Sequence, residues 1–108
     1  MMDFDPNKIA ERLYNLGKDY AEANDSAERL EYRRHVVLAE LANQANETSE
    51  AARDRFARSH EDYSKHLNDM VTARTKANIA KARYDADKVR VDLLRTKAAS
   101  ERLVNQHQ

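Results

Sequence analysis

From Ile9 onward the apolar residues step along the chain by four and by three. One set, Ile9, Leu16, Ala23, Leu30 and Val37, recurs every seven residues. Its companion, Leu13, Tyr20, Ala27, Arg34 and Leu41, keeps the same period, with Arg34 the only clear break. Interleaved sets at that spacing put one apolar stripe on a helix and predict a coiled-coil-like seam. The start is signalled as well. Asp5 can accept from the unpaired amides of the first turn, and Pro6 suits the first helical position, where no N–H is needed. Gly17 falls off the seam and costs about 1 kcal/mol relative to Ala, which a helix this long tolerates. The pattern predicts a helix over residues 6–46, about 60 Å long.

Residues 43–49 are polar and rich in cap formers, and mark the chain reversal. Ser49 can cap a short helix from Glu50 to Arg58 that carries Phe56. A second start signal follows at Ser59-His60-Glu61-Asp62, which has capping-box spacing with Asp in place of Glu. Whether the turn region 47–59 holds a separate helix or the first turns of the next one stays open. The last helix is predicted over residues 60–103. Its seam consists of Tyr63, Met70, Ala77, Tyr84, Val91 and Ala98, paired with Leu67 (or His66), Ala73, Ala80, Asp87 and Leu94. The fold class expected is all-α: one domain over 1–108, a long antiparallel helical hairpin with room for a short third helix at the turn.

A second apolar face runs through Ile79, Ala82, Ala86, Val89 and Leu93. One stripe suffices for a hairpin, so two stripes give this helix two neighbours. Pairing with a second copy would cover it, which makes Ile79, Val89 and Leu93 the expected self-association residues of a homodimer or higher helical oligomer. The alternative is that the short helix around Phe56 folds back over that face.

Composition narrows the class further. The 108 residues include one Gly, one Pro, no Cys and no Trp, where average usage gives about seven Gly and about five Pro. That scarcity argues against β-rich architectures, and zero Cys excludes disulfides and thiolate metal sites. No apolar run approaches the roughly 18 residues of a membrane span, and the opening Met-Met-Asp-Phe-Asp-Pro lacks a basic-then-apolar leader. A soluble, cytoplasmic protein without membrane contact is expected.

The net charge of zero conceals a separation. Residues 1–70 carry 10 bases and 15 acids, and residues 71–108 carry 9 and 4. In the last helix the bases form two lines of seven-residue spacing: Arg74, Lys81, Lys88, Arg95 and Arg102, and Lys76, Arg83, Arg90 and Lys97. These flank the seam, so pairing that seam with its own copy would set like charges together, and it should face the first helix or an acidic partner. The first helix offers Asp19, Glu31 and Glu40, alongside Arg12 and Arg33. Three readings of the remaining basic surplus stand together. It is a solvated face neutralised by Asp85, Asp87, Asp92 and Glu101; or a dock for an acidic protein surface, carried by Arg83, Lys88, Arg90 and Arg95; or a contact for nucleic-acid phosphates, disfavoured by the interspersed acids.

Catalytic and metal chemistry find little purchase. The residues three before each His are Tyr32, Ala57, Tyr63 and Val104, so no Glu-x-x-His ligand pair exists. His60-Glu61 opens like a zincin helix, but Ser64 stands where the second His belongs. Asp62 and His66 share a face and read as a solvated couple rather than half a metal site. There is no phosphate-cradling Gly-rich loop and no nucleophile elbow. No enzyme activity, metal or cofactor is expected.

The segments Phe4 to Leu13, Met70-Val-Thr-Ala-Arg74, Ala77-Asn78 through Arg83-Tyr84-Asp85 and Leu93-Leu-Arg-Thr96 resemble small all-helical phage and prophage proteins encoded among recombination and replication genes. That resemblance implies a bacterial cytoplasm and an accessory role, binding and modulating a recombination protein, nuclease or defence factor. It brings no site residues with it. The small hairpin partners of type VII secretion differ: their turn carries Trp-x-Gly, and residues 43–49 hold neither residue. The expectation is a non-enzymatic interaction module, with a phosphate-backbone binder or a virion or assembly scaffold component as alternatives.

Overall fold

Asp5 accepts from the backbone N–H groups of Asn7 at 2.9 Å and Lys8 at 3.5 Å, and Pro6 opens the helix that this cap begins. The structure is a computed structural model that describes residues 5–106; residues 1–4, where a leader was sought, lie outside the described residues. Three helices follow in order: α1 (Pro6–Gln44), α2 (Glu50–Ser59) and α3 (Glu61–Gln106). Among the described residues there is no strand.

Helices α1 and α3 run antiparallel side by side. Leu41 lies with Tyr63 near the turn, Glu31 reaches Arg74 midway, and Arg12 reaches Asp87 toward the open end. Every seam position predicted on α1 is buried or half-buried, Arg34 included, and so is every one on α3. The hydrophobic period therefore set the pairing face of both helices. The core it encloses is thin: Ala27, Leu41, Ala57, Tyr63, Ala77 and Val91 are its buried apolar residues. Spread over a body 86 × 19 × 18 Å, they leave an accessible surface of 8589 Å². A compact monomer of this mass exposes about 6,200 Å².

The turn resolves the open question about residues 47–59. Helix α1 ends two residues earlier than expected, with Ala45 leaving in extended conformation. Ser49 caps α2 as expected, accepting from Ala52 N–H at 3.1 Å. His60 then breaks the helix with an extended backbone, making α2 a separate element. The cap of α3 differs from the expected Ser59 box. Ser59 Oγ instead donates back to the carbonyls of Arg55 and Phe56, and the acceptor for Asp62 N–H is His60 Nδ1 at 3.0 Å. An aromatic nitrogen is within reach there, and the Ser hydroxyl is already satisfied by its own helix.

Helix α2 docks at the turn through Ala57, against Leu41 and Tyr63, with Val37, Leu38, Ala42 and Leu67 around them. Phe56 stays 37% exposed and meets the His60 ring, centroids 5.6 Å apart. The alternative in which this helix covers the Val89 face does not hold, because Tyr63 lies about 39 Å along α3 from Val89. Gly17 also differs from its sequence reading. The Tyr84 ring of α3 packs where a Gly17 Cβ would sit, with Cε1 3.2 Å and Cζ 3.3 Å from that point. The residue off the seam is the recess that admits an aromatic ring of the seam.

Candidate functional site

The seam of α3 carries one acid, and α1 answers it. Asp87 Oδ1 accepts from Arg12 Nε at 3.0 Å and from Arg90 Nε at 3.0 Å, while Oδ2 is buried without a partner. Burial pushes this carboxyl up, yet the two guanidinium hydrogen bonds and charges outweigh it and hold the group below its ordinary value. Toward the middle, Arg74 grips Glu31 with two parallel bonds, Nε to Oε1 at 2.8 Å and Nη2 to Oε2 at 3.0 Å. Its Nη1 donates to Asn24 Oδ1 at 2.8 Å. The hydrogen bond from Arg74 holds Glu31 below the usual carboxylate range against the opposing effect of burial, and the same bond raises Arg74. Such a fork fixes orientation as well as charge.

His66 serves the seam and not Asp62. Its Nε2 lies 2.8 Å from the Leu30 carbonyl oxygen, a geometry in which the imidazole N–H donates across the hairpin. The expected Asp62–His66 couple is thus replaced: Asp62 sits beside His60, 3.8 Å from its Nδ1. Among the described residues no group of three or more His, Asp or Glu side chains is placed to hold a metal ion. No helix there is long and apolar enough to cross a membrane.

Outside the seam, the expected docking residues divide. Lys88 pairs with Asp85 at 3.1 Å and lies over the Tyr84 ring, 4.5 Å from its centroid. Arg90 is tied to Asp87. Arg83 and Arg95 are exposed, and among the described residues neither makes an ion pair. Local neutralisation by Asp85 and Asp87 therefore accounts for two of the four. Arg83 and Arg90 come together beside an open groove with Arg12, Leu16, Ala86 and Asp87. Lys88 and Arg95 lie on the other flank of α3.

The expected self-association residues are uncovered. Ile79 is 48% exposed, Val89 58% and Leu93 65%, and Ala82 and Ala86 between them are exposed too. At helical period this face lies nearly opposite the seam. Val71 and Val104 extend it at either end, and both are exposed. The polar residues Thr75 and Ser100 interrupt the stripe there, which is why hydrophobic periodicity alone misses the extension. In sequence Asp87 was legible as a seam position and as an acid neutralising neighbouring bases, but its link to Arg12 across the hairpin was not. No family model, curated protein or solved structure matches the chain.

Proposed function

We propose that the chain is a non-enzymatic helical protein-interaction module that works through the solvent side of α3. The observation that carries this reading is the dressing of that helix. An apolar face from Ile79 to Leu93 stands uncovered on a chain whose own core is thin, and the unpaired Arg83 borders it, with Arg95 on the flank nearer the seam. Exposed contiguous apolar surface rimmed by charge is characteristic of contact sites. The self-association face is Ile79, Val89 and Leu93. Electrostatic docking to an acidic protein surface falls to Arg83 and Arg95 first, with Lys88 and Arg90 adding charge from within their ion pairs. The resemblance to small helical phage proteins makes bacterial recombination, nuclease and defence proteins the first partners to try. On that reading the protein works in the bacterial cytoplasm.

The test is capture from bacterial cytoplasm with the native chain and with Arg83→Glu/Arg95→Glu as baits, beside a titration with single- and double-stranded DNA at two salt concentrations. The reading expects an acidic protein held by the native chain and released by the variant, with weak DNA binding. Tight DNA binding that falls steeply with salt and is lost in the variant would replace it with phosphate-backbone recognition. Growth beyond a dimer with concentration would favour an assembly component.

A further inference from the structure

The two flanks of the uncovered face on α3 carry opposite charge. In a heptad drawn on this face, Ile79, Ala86 and Leu93 take position a, and Ala82 and Val89 take position d. Position e is then Lys76, Arg83, Arg90 and Lys97, all basic, and position g is Asn78, Asp85, Asp92 and Ala99. The seam facing α1 has no such asymmetry, since bases flank it on both sides. We infer that a second copy of this chain covers the face, α3 against α3, in parallel and in register.

Charge decides the orientation. In a parallel pair each g residue meets an e residue five positions on in the partner. That sets Asp85 against Arg90 of the second copy and Asp92 against Lys97 of the second copy, and twofold symmetry repeats both. Among the described residues neither Asp92 nor Lys97 makes an ion pair within the chain. Arg90 spends only its Nε on Asp87, which leaves the other guanidinium donors for Asp85. In an antiparallel pair e meets e and g meets g. Arg83 would then lie near its own copy, Lys76 near Arg90 of the second copy, and Asp85 near its own copy. Every such contact is repulsive. The alanines at 82 and 86 let the two backbones approach, and α1 lies on the far side of each α3, clear of the partner.

This inference builds on the interaction reading above, and the two fail separately, because self-pairing is read with no other protein present. The chain has no Cys, so single introduced cysteines report register. Thr72→Cys and Thr96→Cys occupy an a and a d position at opposite ends of the face. Under mild oxidation each variant alone is expected to link to itself. A link confined to the mixture of the two would overturn the parallel orientation. Sedimentation equilibrium at tens of micromolar is expected to give a dimer, and Val89→Asp a monomer with unchanged helical circular dichroism. A native chain that sediments as a monomer would overturn the pairing. Asp92→Lys should weaken the dimer about fivefold, and Asp92→Lys/Lys97→Asp should restore it. Failure of the double variant to recover would remove the charge argument.

Discussion

Arg12 donates through Nε to Asp87 Oδ1 at 3.0 Å, joining side chains 75 residues apart near the open end of the hairpin. The acid is buried while the base is 63% exposed. Together with the Glu31–Arg74 fork, this link gives the hairpin two carboxylates whose ionised form is favoured by folding over the protonated form. A carboxylate whose folded-state pKa is depressed contributes stability above its unfolded-state value, about 3.9 for Asp and about 4.3 for Glu. That contribution is lost as the pH falls through the folded-state value. Urea midpoints should therefore hold between pH 7 and 5 and decline below about pH 4. The decline should be shallower in Asp87→Asn/Glu31→Gln, and equal slopes would show that other carboxylates govern it.

Asp87→Leu should stabilise the chain. The seam position is buried, Oδ2 has no partner, and both arginines can return to water. Replacing a buried ion pair by a packed apolar side chain is often favourable, here by about 1 kcal/mol. Thermal unfolding decides it, and a lower midpoint would mean that the Arg12 link outweighs the cost of burying the acid. Arg34→Leu should act in the same direction, because Arg34 Nε is buried without a partner.

Gly17→Ala and Gly17→Leu should have opposite signs. Alanine recovers up to about 1 kcal/mol of helix propensity. The ring of Tyr84 is half-exposed, bordering an open groove with Leu13, Tyr14 and Ala21, and can give way by a few tenths of an ångström. Leucine demands far more room and should lower the midpoint by displacing the ring. A destabilising alanine would show that Tyr84 is pinned.

His60 and Ser59 offer a direct contrast. His60→Ala removes the acceptor of Asp62 N–H and should cost about 1 kcal/mol, with faster amide exchange in the first turn of α3. His60→Asn keeps an acceptor and should retain most of that stability. Ser59→Ala should change little, since its hydroxyl bonds back into α2. A larger loss at Ser59 than at His60 would reverse the assignment of the cap.

Much of the architecture was legible because a period near seven sustained over five heptads leaves little freedom. Both seams, the Asp5 and Ser49 caps and the uncovered Ile79–Leu93 face follow from spacing alone. What spacing cannot convey is which polar residue meets which across the hairpin. Arg34 and Asp87 both fall on seam positions in the sequence, yet one ends orphaned at Nε and the other gains two arginines. The staggering of α1 against α3 decides that, and it depends on side-chain volumes such as the Gly17–Tyr84 fit. The same stagger selects Glu31 for Arg74, while Asp19 and Glu40, equally well placed on the helical wheel, make no ion pair among the described residues. At the turn, Ser59 lost to His60 through a competition between local bonds of similar strength. The docking residues were legible as a line of charge, but not which of them are occupied. Asp85, Asp87 and Asp92 all lie three residues before a base, yet only Lys88 and Arg90 are paired and Arg95 is not.

The elongated outline has a hydrodynamic consequence. The Cα radius of gyration is 23.9 Å, where a compact chain of this length has about 13 Å. Friction in solution follows that length more than it follows mass, so a single 12.5 kDa chain tumbles and elutes like a much heavier globular particle. A monomer would thus imitate a dimer on a sizing column. Equilibrium sedimentation and light scattering weigh the particle independently of its shape, and small-angle scattering would register the second copy as a gain in cross-section at nearly constant length.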